Sequence, residues 1–407
     1  MTTRPALSRV EFIALIAMLF ATIAFSIDSM LPALPAIAAE LSPDDVNRAQ
    51  LILTSFVLGM GVGTLFSGPL SDRFGRKPVI LAGAGLYILG AALAYFAQGL
   101  ELLLMARVIG GLGAAAPRVV GLAIIRDLYA GREMARIMSF VMMVFTLFPA
   151  VAPLLGSIII GLAGWRSIFL VFILFGGLAA AWLAIRQPES LPPENRRSLR
   201  PALMWAAMTE MFIHPRVRIS ILAQTLAYAM LFMAITLIQP IFSEVFGRTQ
   251  TFPYWFAGMA LLAASGNLLN AALVVRLGMR NLATFAFGAQ AVLSVLITLA
   301  WLSGLFGGAM FFIFLAWLTT VFFMVGLTLG NLNAITMEPM GHIAGFAASI
   351  SGALATVIAV ALAVPVGLSF DGTPLPLTIG VLATSGAAFV VMLRMRQLDL
   401  RNPQWGF

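Results

Sequence analysis

Long apolar stretches separated by short polar gaps run the length of the chain. A bilayer core takes about 20 apolar residues per helix. On that rule the pattern predicts twelve spanning helices, over residues 12–31, 51–67, 78–97, 100–125, 134–162, 167–185, 217–242, 252–275, 282–302, 307–336, 343–370 and 375–393. The longest polar gap, 187–215, falls near the middle and opens with Gln-Pro-Glu-Ser-Leu-Pro-Pro-Glu-Asn-Arg-Arg, the composition of a flexible linker. Its second part, 200–212, reads as a short helix lying on the inner membrane face. The expected organisation is an N-terminal six-helix bundle (1–186), a cytoplasmic linker (187–215) and a C-terminal six-helix bundle (216–407).

A weak internal repeat supports the division. Arg73-Phe-Gly75-Arg76, between the second and third helices, has a counterpart 203 positions on in Arg276-Leu-Gly278-Met-Arg280, between the eighth and ninth. Val275 stands there in place of Asp72. Two similar halves joined by a linker point to a substrate site between them and to rocking as the mechanism.

Composition removes other readings. Hydrophobic residues make up 61% and charged residues 10% of the chain, against roughly 25% charged in a soluble domain. The chain is therefore read as an integral membrane protein, and its net charge of +8 as topology rather than affinity for nucleic acid. With twelve helices and the N-terminus inside, 19 of the 24 basic residues fall on the inner side. This bias places both termini in the cytoplasm; eleven or thirteen helices would put the C-terminal arginines outside. The run after Arg4 and Arg9 is too long for a cleaved signal and reads as a retained first helix. There is no cysteine, hence no disulfide, thiolate site or thioether lipid anchor. His214 and His342 are the two histidines, too few for a histidine metal cluster. The single lysine, Lys77, precedes Pro78, which excludes a Walker A loop.

Charge inside apolar helices is expensive and points to function. Asp28 lies late in the first helix and Arg107 about two turns into the fourth, at similar depth. They are expected to interact, directly or through water; the other reading of Asp28 is an interfacial carboxylate near the helix exit at Pro32 and Pro35. Arg118 is eleven residues past Arg107, which returns to within about 20° of the same face. The two arginines then mark a wet stripe; for Arg118 the other reading is a reach to the cytoplasmic interface.

Residues 68–77, Gly-Pro-Leu-Ser-Asp-Arg-Phe-Gly-Arg-Lys, set one acid and three bases in a tight turn. Gly75 can take a dihedral other residues resist. Asp72 can dock on the N-terminus of the eleventh helix or pair with Arg126. Gly68, Asp72, Arg73, Gly75, Arg76 and Arg126 are read as a conformational latch, against the simpler role of orienting the hairpin. In the fifth helix Pro149, Pro153 and Gly156 allow flexing and close approach, or packing alone. Phe25, Met30, Arg118, Gln224, Tyr228, Phe232, Gln239, Asn331 and Asn333 are candidates for a mostly apolar substrate cavity with a few polar anchors.

Together these stretches resemble the major facilitator superfamily. Residues 68–77 are similar to its signature between the second and third helices, and Arg107-Val-Ile-Gly-Gly-Leu-Gly to its fourth-helix arginine motif. Residues 149–156 resemble the fifth-helix motif associated with antiporters, with Ala152 where glycine is expected. Asp28-Ser-Met-Leu-Pro-Ala-Leu-Pro-Ala-Ile looks like the first-helix motif of twelve-helix drug-proton antiporters. With Arg126-Asp127-Leu and Met337-Glu-Pro-Met-Gly-His-Ile-Ala-Gly, it is similar to the bicyclomycin/chloramphenicol-resistance (Bcr/CflA) group. Pro117-Arg118 departs from the small uncharged residues expected there.

The resemblance implies an all-α integral membrane fold, with twelve helices in two six-helix bundles around a central cavity. It implies a proton-coupled multidrug efflux antiporter of the inner membrane, taking small amphipathic compounds from the cytoplasm by alternating access. Such a protein would work as a monomer on the proton gradient, with no cofactor, metal or nucleic-acid partner. Asp28 would be its proton-sensitive carboxylate. An uptake symporter or uniporter for a metabolite anion, suggested by Arg107 and Arg118, is one alternative. A non-transporting membrane enzyme or receptor is another, for which the sequence offers no nucleophile–base pair.

Overall fold

A membrane offers the backbone no partner but itself, so each apolar stretch closes its hydrogen bonds within a helix. The computed structural model describes residues 7–196 and 201–401, and every regular element among them is helical. Residues 197–200 of the expected linker lie outside that range. Helix α1 (Arg9–Asp28) is followed by a 3-10 turn, Leu31–Ala33, and a short helix α2 (Leu34–Leu41). Then come α3 (Leu51–Phe74), α4 (Arg76–Tyr95), α5 (Leu100–Leu128), α6 (Gly131–Ala163) and α7 (Ser167–Arg186). A short α8 (Pro201–Ile213) leads into α9 (Pro215–Pro240), α10 (Phe252–Leu277), α11 (Met279–Ser303), α12 (Met310–Met337), α13 (Ala344–Leu368) and α14 (Leu375–Arg401). Among the described residues, 11 continuous helical stretches are long and apolar enough to cross a membrane. The longest, Gly307–Leu368, holds both α12 and α13, joined by a 3-10 turn at Glu338–Ile343, so the spans number twelve.

The chain divides into two compact units, Met1–Pro201 and Ala202–Phe407. Within each, helices choose equivalent partners. In the first, α3 and α4 pack on α5, α6 on α1, and α7 on α4. In the second, α10 and α11 pack on α12, α13 on α9, and α14 on α11. The weak sequence repeat is thus a repeat of packing. In the second unit, Glu210 of α8 also reaches His342 in the α12–α13 turn, at 3.2 Å.

Small residues set how closely the helices approach. A Cβ on Gly59 would lie 2.1 Å from Val108 O, and one on Gly111 2.0 Å from Phe56 O, so α3 and α5 meet backbone to backbone. Tight van der Waals packing of this kind holds helices together where no hydrophobic driving force acts between them. Elsewhere in the first unit Phe12, Ile16 and Phe20 of α1 pack with Val120 and Ile124 of α5 and Val141 of α6.

The tight turn expected over 68–77 is shorter than the sequence suggests. Helix α3 runs on to Phe74 and α4 begins at Arg76, which leaves only Gly75 outside a helix, at φ +102°. The polar residues of this stretch bond one another and their neighbours, so no loop is needed to solvate them. The same one-glycine joint, Gly278 at φ +77°, separates α10 from α11.

Because overpacking a close contact costs about 1–3 kcal/mol, Gly111→Val should lower the thermal midpoint of the detergent-purified protein in scanning fluorimetry. A midpoint equal to that of the wild type would contradict the α3–α5 backbone contact.

Candidate coupling and substrate site

The last carbonyls of a helix find no partner within it. At the end of α1, Phe25 O accepts from the Ser29 N–H at 3.2 Å and from the Ser29 hydroxyl, and Ile27 O accepts from the Met30 N–H at 3.3 Å. Ser26 O is satisfied from another helix: Arg107 Nη2 donates to it at 2.8 Å. Arg107 is buried; its Nε donates to Ile52 O at 3.3 Å, and its guanidinium lies over the Phe56 ring, 4.2 Å from the centroid. The Ser26 hydroxyl gives its proton to Thr22 O at 2.7 Å, so the Tyr87 hydroxyl is the donor in their 2.6 Å contact. A cavity of about 10 Å³ beside Arg107, Tyr87 and Phe56 has room for one water. A cation at a helix C-terminus is also favoured by the helix dipole.

Asp28 is 5% exposed. It stands two residues from Ser26, about 200° round the helix, so the guanidinium that holds Ser26 lies across α1 from Asp28. The contact expected between the two ionisable groups is therefore not a direct one: Arg107 is engaged by carbonyls. Among the described residues, no hydrogen bond or ion pair reaches the Asp28 carboxylate. The antiporter-like stretch of α6 arrives at the same place. A Cβ on Gly156 would lie 2.2 Å from Ser29 O, so only glycine lets α6 pass over the end of α1. Pro149 and Pro153 both sit inside α6, and the Ser157 hydroxyl donates to Pro153 O at 3.0 Å.

At the α3–α4 joint the latch residues are only partly gathered. Arg76 pairs with Asp72 of its own turn, donates from Nη1 to Ser71 Oγ at 2.8 Å, and donates from Nε to Asp127 Oδ2 of α5 at 2.9 Å. Arg126 is not the partner of Asp72; it is exposed and bonds Leu122 O on its own helix at 3.4 Å. Arg73 is exposed beside the ring of Phe74, and Gly68 O accepts from the Ser71 hydroxyl at 2.8 Å. Two further acids, outside the residues expected to form the latch, complete the cluster. One is Asp127, next to Arg126. The other is Glu189, in the stretch whose composition predicts a flexible linker. Its carboxylate accepts from the Arg76 and Lys77 N–H groups at 2.9 and 3.1 Å, capping α4. Lys77 Nζ in turn donates to Ala184 O at 2.6 Å, near the end of α7. A Cβ on Gly75 would lie 2.6 Å from Glu189 Oε2. A carboxylate at a helix N-terminus was the available signal.

The expected cavity residues fall in both units, and each is described within its own. Phe25 is buried in an aromatic cluster with Phe148, Phe172 and Phe175, and Met30 is fully buried. Arg118 is partly buried, with its guanidinium 5.8 Å from the Phe145 ring centroid. In the second unit Gln224 donates to Thr336 Oγ1 at 2.8 Å and to Leu332 O at 3.3 Å. Ser220 bonds the same carbonyl at 2.7 Å. The Gln224 amide is thus engaged in joining α9 to α12. Asn331 Nδ2 donates to Asn270 Oδ1 at 2.7 Å. Tyr228 stacks on Phe232 at 5.7 Å, Gln239 is buried, and Asn333 is partly buried.

Beside this repeated helix pairing and the cluster at the second-to-third-helix joint, the sequence itself matches a known family. The profile of the Major Facilitator Superfamily covers residues 14–393. The chain belongs to this superfamily. It is a multi-pass membrane transporter and not an enzyme. A bicyclomycin resistance protein homolog of Haemophilus influenzae is 32% identical over 269 residues, 65% of this chain and 67% of that protein. A chloramphenicol resistance protein of Pseudomonas aeruginosa is 35% identical over 182 residues, 44% of this chain and 42% of that protein. Both carry the names of the resistance group that the first-helix motif resembles. Among solved structures, a D-xylose-proton symporter superposes with a TM-score of 0.73 at 15% identity, covering 95% of this chain and 97% of that one; that likeness is one of fold.

Removing the Glu189 carboxylate should uncap α4. In Glu189→Ala, amide exchange at Arg76 and Lys77, followed by mass spectrometry, should rise about tenfold or more, as for a charge-assisted bond worth about 1.5–3 kcal/mol. Gly75→Ala should destabilise as well. Adding Glu189→Ala to it should recover only part of the loss, since the contact is relieved and the positive φ is not.

Proposed function

We propose that this transporter is a proton-coupled exporter of small amphipathic compounds, working by alternating access as a monomer in a bacterial inner membrane. Both termini face the cytoplasm, and the proton gradient is the only energy source. The resistance proteins among its relatives support the export direction. The observation that carries the coupling is Asp28: a buried carboxyl at the break of α1, between Ser26, which the Arg107 guanidinium of α5 holds, and Ser29, which Gly156 of α6 packs against, and bonded to nothing among the described residues. Ionisable groups inside a membrane span mark proton and substrate pathways. Gain or loss of one proton at Asp28 changes what the end of α1 packs against. A bias of only about 1.4 kcal/mol shifts a two-state balance tenfold. At the α3–α4 joint, Arg76 with Asp72 and Asp127 ties three helices together and acts as the latch of one transport state.

Asp28→Asn removes the titrating group and keeps its shape. In everted membrane vesicles it should abolish uncoupler-sensitive drug uptake and drug-driven proton release, with the amount of folded protein unchanged. Proton release equal to that of the wild type would reject Asp28 as the coupling carboxylate.

A further inference from the structure

Arg118 lies within α5 and is used by neither the α1 cap nor the latch. It is ten residues from the end of α5 at Leu128, about 15 Å along the axis. Its Cα–Cβ bond tilts toward the helix N-terminus, away from that end, and its guanidinium lies beside the Phe145 ring. The ring it approaches confirms the depth: Phe145 is close to the middle of α6, which runs from Gly131 to Ala163. Eleven residues place Arg118 within about 20° of the face that carries Arg107, and Arg107 points among neighbouring helices. Arg118 therefore turns to the protein side and not to lipid. Arg107 is engaged by two carbonyls, whereas among the described residues no carboxylate lies within ion-pair distance of Arg118.

We propose that Arg118 selects the charge of the transported compound, and that the exporter takes amphipathic monoanions with a ring system and a single carboxylate or sulfonate. The proposal rests on the export reading above. A guanidinium presents its N–H groups as a planar fork that matches a carboxylate or sulfonate in two parallel hydrogen bonds. The Phe145 ring beside it offers an apolar face to the rest of the molecule. A phospholipid headgroup carries related anionic chemistry, and a headgroup occupant would leave the binding of 1-naphthoate unchanged in Arg118→Gln.

The test uses the full chain and a matched pair of probes, 1-naphthoate and its uncharged amide, 1-naphthamide. In proteoliposomes, the wild-type KM for the amide should exceed that for the acid anion. Arg118→Gln should reduce this preference about tenfold, and Arg118→Lys, which keeps the charge but not the fork, by less. Calorimetric titration of purified protein with 1-naphthoate reads the site without transport. Wild-type binding that weakens about tenfold in Arg118→Gln supports the anion site even where no export is measured, and that pairing would count against the export reading alone. A preference unchanged in Arg118→Gln, or absent from the wild type, overturns the anion site and leaves export of neutral compounds standing. Arg118→Lys that elutes as a single species and keeps part of the preference separates charge recognition from misfolding.

Discussion

A helix that stops inside a membrane leaves carbonyls that no water can satisfy, and at the end of α1 the one on Ser26 is met by Arg107. Much of the first unit follows from that bond. Arg107 reaches Ser26 only if α5 lies close to α1, and the Gly59 and Gly111 contacts bring α3 near enough to α5 for its Ile52 carbonyl to share the same guanidinium. Tyr87 fixes the Ser26 hydroxyl from α4, and Gly156 brings α6 onto Ser29. Four helices thus converge on one break. Asp28 owes its position to that convergence rather than to a charge partner.

The second unit repeats the packing without the charge. Arg107 is the eighth residue of α5, and the eighth residue of α12 is Trp317. Tyr87 is the twelfth residue of α4, and Gln290 the twelfth of α11. Where the first unit has a guanidinium and a phenol, the second has an indole donating to Ser294 Oγ at 3.2 Å and an amide bonded to Thr320 at 3.1 Å. At the α10–α11 joint Val275, 89% exposed, stands where Asp72 does. One scaffold has been built twice, and its titratable inventory concentrated in one copy. The proposed coupling carboxylate therefore lies in the first half, and amides and aromatic rings stand at the equivalent positions of the second.

The twelve helices were legible because their signal is length and apolarity, which a bilayer enforces over some 20 residues at a time. The repeat was legible from one glycine between two arginines. What the sequence hid were the contacts made by the backbone. Arg107 and Asp28 looked like an ion pair because both are charged and share a depth. A linear pattern cannot reveal that the end of α1 presents a backbone carbonyl as the acceptor within reach of Arg107. Glu189 was masked by its Pro-rich surroundings, whose composition reads as mobile chain although the carboxylate caps a helix more than a hundred residues earlier. Gln224 looked like a cavity anchor because a buried amide is conspicuous; its partners, Thr336 and Leu332 O, lie on a helix distant in sequence.

The exchange between Glu189 and Lys77 also decides where the chain can be divided. The carboxylate that caps α4 lies beyond the last residue of α7, and the only lysine closes α7 from the start of α4. A gene fragment ended at Arg186, where the apolar run stops, would leave the α4 amides bare. A self-standing first half must carry the Pro-Glu-Ser segment with it, and a split version of the transporter has its natural seam beyond Leu191, where the first unit ends at Pro201.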